Sequence, residues 1–172
     1  SPNVVNRVYF GFTGSVYRVD NAHTGTSVTA TNITSGSAIP SGYISCVEVE
    51  KGNENHILIT ITNYGLNSVW ETRNGGTTWT SVEGNLPDMP IRWIVLHPQN
   101  GYKALVATEL GVWSTDSLMG SNTNWGPTNT GLANVRVDML KVRPSDNLIA
   151  AATHARGLYT AYLPIYNSNQ AP

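Results

Sequence analysis

Hydrophobic and polar residues alternate along most of this chain, and the alternation comes round four times. It first runs Val8-Tyr9-Phe10-Gly11-Phe12-Thr13-Gly14-Ser15-Val16-Tyr17. It returns at Ile57-Leu58-Ile59-Thr60-Ile61-Thr62-Asn63-Tyr64-Gly65, leading to Val69-Trp70, and again at Ala104-Leu105-Val106-Ala107-Thr108-Glu109-Leu110-Gly111-Val112-Trp113. The last copy is Leu148-Ile149-Ala150-Ala151-Ala152-Thr153-His154-Ala155-Arg156-Gly157-Leu158-Tyr159. Each copy is an alternating strand, a Gly-bearing turn and an aromatic. Period-two alternation with turn chemistry between the runs predicts strands almost everywhere and no helix. The aromatic recurs at Tyr17, Trp70, Trp113 and Tyr159, a period of roughly 43–53 residues, which is the range of a four-stranded propeller blade. Units of this kind cannot bury their faces alone and must stack on neighbours or close into a ring.

The pattern predicts repeat units over about residues 7–50, 56–97, 103–143 and 148–163, the fourth cut short. Strands are expected near 7–13, 15–20, 26–32 and 43–50, then 56–62, 68–73, 78–83 and 91–96. They continue near 103–108, 111–115, 124–128 and 135–142, and finish near 148–153 and 157–163. The last strand of each full unit repeats as clearly as the first, and each runs into a Pro, Asn or Gly turn: Lys51-Gly52-Asn53, His97-Pro98-Gln99-Asn100-Gly101 and Arg143-Pro144-Ser145-Asp146-Asn147. The expectation is an all-β partial propeller over 1–163, about 14 strands or three and a half blades, with a polar linker or tail over 164–172. Propellers have about four to eight blades, so an arc of this size leaves open faces and unpaired edges. The predicted partners are therefore the remainder of the same polypeptide, or neighbouring subunits, completing the ring.

The hairpin between the second and third strands of the second unit reads Thr72-Arg73-Asn74-Gly75-Gly76-Thr77-Thr78-Trp79. A short side-chain oxygen at Asn74 is placed to bond turn amides, Gly76 supplies an unusual φ, and Trp79 packs into the blade. A stretched version follows as Ser114-Thr115-Asp116, an insertion, Gly120 and Asn124-Trp125, and the first unit keeps a remnant in Asp20, Gly25 and Thr26. Thr72, Asn74, Gly76, Thr78, Trp79, Ser114, Asp116, Gly120 and Trp125 thus resemble the Asp-box, Ser/Thr-x-Asp-x-Gly-x-Ser/Thr-Trp, with Asn74 in the Asp position. The chain resembles the Asp-box (BNR-repeat) propeller superfamily, which includes sialidases, xyloglucanase-type glycoside hydrolases and sortilin-like ectodomains. It looks most like large secreted proteins of Bacteroidetes-type bacteria, whose propellers end in a Thr-His-Gly-Arg-Gly-Leu/Ile-aromatic segment. That segment is here Thr153-His154-Ala155-Arg156-Gly157-Leu158-Tyr159, with Ala155 replacing the first Gly. The resemblance implies a secreted or cell-surface scaffold, and it implies that the boxes hold hairpins on the periphery, away from any active site.

Composition narrows the classes. Charged residues are 12% of the 172 residues, about half the usual share, with Thr, Asn, Ser and Gly in their place. The net charge is −1 with no basic run, which leaves nucleic-acid binding without an electrostatic footprint. No apolar stretch approaches the roughly 20 residues that span a bilayer as a helix. Cys46 is the sole cysteine and is expected to be a small buried hydrophobe. The chain starts Ser1-Pro2-Asn3, without Met or a signal peptide, as a processed product or a segment of a longer chain would.

Chemistry-bearing residues are sparse. No His or Cys pair has metal-ligand spacing, so neither metal nor cofactor is expected. Glu48, Glu50, Glu71, Glu83, Glu109, Asp138 and Asp146 are scattered, whereas a glycosidase needs two carboxylates about 5–10 Å apart. Glu109 is the best-placed one, in a turn after an inner strand. His154 and Arg156, at the end of another, are read either as ligand contacts on the channel or rim, or as locks on neighbouring backbone. His97 is read as structural, and His23 and His56 as isolated. No catalytic residue is assigned. The recurring aromatics offer sugar or protein contacts, though recurrence at one repeat position favours packing between blades. Two modification sites are candidates: Asn32 in Asn32-Ile33-Thr34, an N-glycosylation pattern, and Ser117 in Asp116-Ser117-Leu118, which looks like an O-glycosylation signal of Bacteroidetes and is expected to be exposed. The reading is a non-catalytic extracellular scaffold with a glycan or protein ligand. The alternatives are part of a carbohydrate-active enzyme and a self-associating subunit of a ring or filament.

Overall fold

A computed structural model describes residues 1–25, 28–132 and 134–165; Thr26 and most of the expected tail lie outside the described residues. The fold is all-β, with fourteen strands among the described residues in four antiparallel sheets. The first sheet holds β1 (Val8–Phe12), β2 (Ser15–Val19) and β3 (Ala30–Asn32) in that order. The second holds β4 (Ile44–Val49), β5 (Ile57–Ile61), β6 (Val69–Thr72) and β7 (Thr80–Ser81). The third runs β8 (Ile91–His97), β9 (Asn100–Thr108), β10 (Gly111–Thr115) and β11 (Gly126–Pro127). The fourth has β12 (Val137–Arg143), β13 (Leu148–Thr153) and β14 (Gly157–Tyr162). The helical content among the described residues is one 3-10 turn at Ala22–Thr24.

The strands are those the alternation predicts, but their grouping is shifted by one. The strand expected to close each unit instead opens the next sheet: β4 pairs with β5, β8 with β9 and β12 with β13. The reason is connection length. Glu50 N–H donates to the His56 carbonyl at 3.0 Å and closes a tight β4–β5 hairpin, while residues 33–43 separate β4 from β3. Consecutive strands joined by a short turn pair antiparallel. The fourteen strands are therefore distributed three, four, four and three, with β4, β8 and β12 in contact side by side as the inner strands.

Because the sheets stack, interior strands lose the polar face that a half-buried strand would show. All five residues of β5 are buried. Ile57, Ile59 and Ile61 join Val16, Ile33 and Trp70 in the gap between the first and second sheets, while Leu58 joins Val69, Val106 and Trp125 between the second and third. A third cluster, with Val95, Val112, Leu140 and Ile149, fills the gap between the third and fourth.

The Trp-bearing hairpins tie one sheet to the next. In the second sheet, Thr72 Oγ1 donates to Asn74 Oδ1 at 2.9 Å and accepts from Gly76 N at 3.0 Å. Asn74 Oδ1 also accepts from Thr78 N at 2.9 Å, and Asn74 Nδ2 donates to Thr78 Oγ1 at 2.8 Å. Gly76 has φ 98°, and a Cβ there would meet Ile33 at 2.7 Å, so the hairpin lies directly on the end of the first sheet. Trp79 Nε1 then donates to the Ile33 carbonyl at 2.9 Å. One blade later, Trp125 Nε1 donates to the Val82 carbonyl at 2.9 Å.

The stretched hairpin departs from the alignment expected of it. Trp70 stands opposite Ser81 and Trp113 opposite Pro127, which sets Thr115, not Ser114, in the place of Thr72. Thr115 Oγ1 bonds the Ser117 carbonyl and amide at 3.2 and 3.3 Å. Asp116 points outward to Lys103 Nζ at 2.7 Å, with its side chain 90% exposed, and does not close the turn. Thr123 takes over: its hydroxyl donates to the Gly120 carbonyl at 2.8 Å and accepts from Met119 N at 2.9 Å.

Two stability predictions follow from this packing. Trp125→Ala, which empties a buried indole site and orphans the Val82 carbonyl, will cost about 3–5 kcal/mol in urea unfolding. Ala155 sits at φ 62° in the turn between β13 and β14, where a Cβ is strained, so Ala155→Gly will raise stability by about 1 kcal/mol in the same assay.

Candidate functional site

Each inner strand carries a bulge at the same place, between Ile44 and Cys46, Ile91 and Trp93, and Val137 and Met139. The bulged residues are Ser45, Arg92 and Asp138. A bulge re-aims a side chain out of the ladder, and here it aims along the rim toward the next blade. Ser45 Oγ donates to the Ile91 carbonyl at 2.7 Å, and Arg92 Nε lies 3.9 Å from Asp138 Oδ1.

Around Arg92 and Asp138 the structure gathers residues from four strand ends. Arg92 Nε donates to Glu109 Oε1 at 2.9 Å, and Arg92 Nη2 bonds the same oxygen. Arg136 Nε donates to Asp138 Oδ1 at 2.6 Å, and His154 Nδ1 lies 3.3 Å from Asp138 Oδ2. Glu109 and His154, two of the expected rim contacts, thus belong to one network. Arg156, the third, is exposed beside it and makes no hydrogen bond or ion pair among the described residues. The sequence shows the residue types but not this grouping, because Arg92 and Asp138 meet only through the bulges.

Glu109 Oε1 and Asp138 Oδ1 share the Arg92 nitrogen at 2.9 and 3.9 Å, so they lie at most about 6.8 Å apart. That bound admits glycosidase spacing. The electrostatics do not favour Asp138 as a general acid. Partial burial pushes the Asp138 carboxyl up, but hydrogen bonds from Arg136 and His154 outweigh it and leave it below its ordinary range. A general acid needs the opposite shift. With Arg92, Arg136 and Arg156 against two carboxylates, the rim is suited to holding polar or anionic groups.

A second feature lies at the other end of the inner strands. A cavity of about 490 Å³ is bounded by β1, β4, β8 and β12 and lined by Tyr9, Glu48, Glu50, Trp93 and Lys141. Burial raises the Glu48 carboxyl, and its hydrogen bond from Leu96 N is long, at 3.4 Å. Burial, and then a 2.6 Å bond to Glu54 Oε1, push the Tyr9 phenol up to about 12.

The other expectations divide. His56 is not isolated: its ring is fully buried, with Nδ1 2.9 Å from Glu50 Oε2 and Nε2 2.8 Å from Glu71 Oε1. His97 packs at the third sheet's edge, with Nε2 3.0 Å from the Pro164 carbonyl. Cys46 is buried, and burial raises its thiol to about 12. Asn32 Oδ1 accepts from both Thr34 N and Thr34 Oγ1 at 2.9 Å, and Thr34 is buried, so this tripeptide closes a turn. Ser117 is half-buried rather than exposed, because Leu118 beside it is anchored in the core. Trp70 and Trp113 pack between sheets. Among the described residues no three His, Cys, Asp or Glu side chains form a metal-binding group, and no helix is long and apolar enough to cross a membrane.

No protein-family model matches the chain, and no curated protein does. Solved structures do. An ancestral GH74 enzyme matches with a TM-score of 0.64 and 19% identity over 94% of this chain and 22% of its own. The GH74 enzyme of Niastella koreensis matches with a TM-score of 0.64 and 16% identity over 92% of this chain and 27% of its own. The Cps50 (Swd1) β-propeller domain of Myceliophteria thermophila matches with a TM-score of 0.56 and 11% identity over 96% of this chain and 65% of its own. The chain therefore spans about a quarter of the length of the GH74 enzymes it resembles. At these identities the likeness is one of fold: four sheets arranged as β-propeller blades in an open arc.

Proposed function

We propose that this chain is an arc of a larger secreted or cell-surface propeller of the Asp-box type, and that its role is non-catalytic, in binding or assembly. One observation carries the reading. Strand pairing aligns Val8, Phe10 and Phe12 of the first sheet with Ile57, Ile59 and Ile61 of the second, since Phe10 stands opposite Tyr17 as Ile59 stands opposite Trp70. The three isoleucines are 0% exposed under the first sheet, whereas Val8, Phe10 and Phe12 are 46, 44 and 69% exposed. The first sheet thus presents a blade-packing face with no blade on it. The fourth sheet leaves Met139, Leu158 and Tyr162 exposed in the same way. Glycan or protein ligands of such an arc would meet the rim of Arg92, Arg136, His154 and Arg156.

A second reading has a specific motive. The structural neighbours include GH74 enzymes, one of them named as a xyloglucanase. Under it the chain contributes blades to a glycoside hydrolase, with Glu109 and Asp138 as its own carboxylates.

Light scattering with intact-mass spectrometry on the native particle separates these. The scaffold reading expects a companion chain, a longer polypeptide or a defined oligomer, and it fails if the 18.6 kDa monomer persists alone at high concentration. Phe12→Asp, which puts a charge on the open face, will weaken that association at least tenfold. Xyloglucan turnover by the particle that disappears in both Glu109→Gln and Asp138→Asn would replace the scaffold reading with the hydrolase reading.

A further inference from the structure

The blade interfaces can be compared within the molecule. Ile33, Val82 and Thr128 each follow the outermost strand of a sheet. Their amides donate to the carbonyls of Val16, Val69 and Val112 at 2.9, 3.0 and 2.8 Å, so the three positions are equivalent. The carbonyl of Ile33 receives the Trp79 indole and that of Val82 receives the Trp125 indole, both at 2.9 Å. No donor reaches the Thr128 carbonyl among the described residues. Where the third indole would lie there is instead a cavity of about 330 Å³, lined by Leu105, Val112, Thr128, Leu132, Tyr159 and Leu163.

Among the described residues there is no strand to bring that indole either. In the second sheet, Trp79 immediately precedes Thr80 and Ser81, which pair with Glu71 and Trp70. In the third, Trp125 precedes Gly126 and Pro127, which pair with Ser114 and Trp113. The equivalent pair on β14 is Thr160 and Tyr159, fixed by Tyr159 standing opposite Ala151 as Trp113 stands opposite Val106. Among the described residues no strand lies beside that edge, and the β13–β14 ladder runs on to Leu163, whose N–H donates to the Asn147 carbonyl at 2.9 Å.

We propose that the groove between the third and fourth sheets is a docking site for a tryptophan-bearing strand from a further polypeptide segment. Two residues of that strand pair with Thr160 and Tyr159. The tryptophan just before them fills the cavity and donates its indole N–H to the Thr128 carbonyl. Main-chain pairing supplies the alignment, and the indole pocket supplies the selectivity. This deepens the reading of the chain as an arc completed by other blades, and rests on it.

The test uses the full chain and a synthetic peptide of residues 74–83, Asn-Gly-Gly-Thr-Thr-Trp-Thr-Ser-Val-Glu, which plays this role in the second sheet. Methyl NMR will show saturable shifts at Leu132 and Leu163, with a Kd on the order of a millimolar for so short a segment. Replacing the peptide tryptophan by alanine will weaken binding at least tenfold. Ala161→Trp, at an exposed residue lining the groove, will block it. Absence of saturable shifts at these leucines, equal binding of the alanine peptide, or undiminished binding to A161W would overturn the proposal. If A161W folds poorly, the alanine peptide decides alone. A native particle of the mass expected for an assembled propeller, together with no peptide binding, would sink the tryptophan slot and leave the scaffold reading standing.

Discussion

Burial of each sheet face against the next governs this molecule. A single three- or four-stranded sheet has two faces and no core, and here both faces of the second and third sheets are apolar. Fully burying an aliphatic side chain is worth about 1.5–3 kcal/mol, and β5 alone commits Ile57, Leu58, Ile59 and Ile61 to that purpose on both sides. Such a strand cannot rest at the end of a stack. The first sheet is at an end, and its residues change accordingly but not fully. Val8, Phe10 and Phe12 are still apolar, and Phe10 stacks on Tyr17 with centroids 5.3 Å apart to cover part of itself.

Apolar stacking is non-directional, so it does not fix the angle or the slide between sheets. The hydrogen-bonded hairpins do. A buried indole gains by finding an acceptor for its N–H, and for Trp79 and Trp125 the acceptor is the equivalent backbone carbonyl of the preceding sheet. That contact converts a greasy interface into a registered one. The inner ends are registered separately, by the bulged residues Ser45 and Arg92 reaching the next inner strand. The gap between the second and third sheets is therefore pinned at both its outer and its inner margin.

The strand set was legible in the sequence because alternation and turn residues are local signals. Ile44–Val49, Ile91–His97 and Val137–Arg143 all lie where the pattern puts them. Their partners are not the strands of their own predicted units, because the Pro, Asn and Gly turns that follow them make tight hairpins to the strand ahead. The hairpin at Asn74 was readable for the same local reason. Its stretched counterpart was not, because the insertion hides the register and draws the eye to Asp116 when Thr115 and Thr123 close the turn. The rim network was opaque. Glu109, Asp138 and His154 are far apart in sequence, and what joins them is a bulge in each inner strand, which a period-two pattern does not reveal. His56 was opaque too, since its two carboxylate neighbours come from a turn and a strand on either side of it.

The rim shows how carboxylates and cations are shared out where the blades meet. Glu109 and Asp138 lie close enough for acid–base work, yet Arg92 sits between them and Arg136 and His154 hold Asp138 ionised. A carboxylate saturated with cationic donors gives up its capacity to deliver a proton, and gains a fixed position. The same donors tie the ends of neighbouring blades together, and they leave Arg156 and the outer edges of Arg136 and His154 facing solvent. The rim thus presents cationic surface over carboxylates that are already engaged in ion pairs.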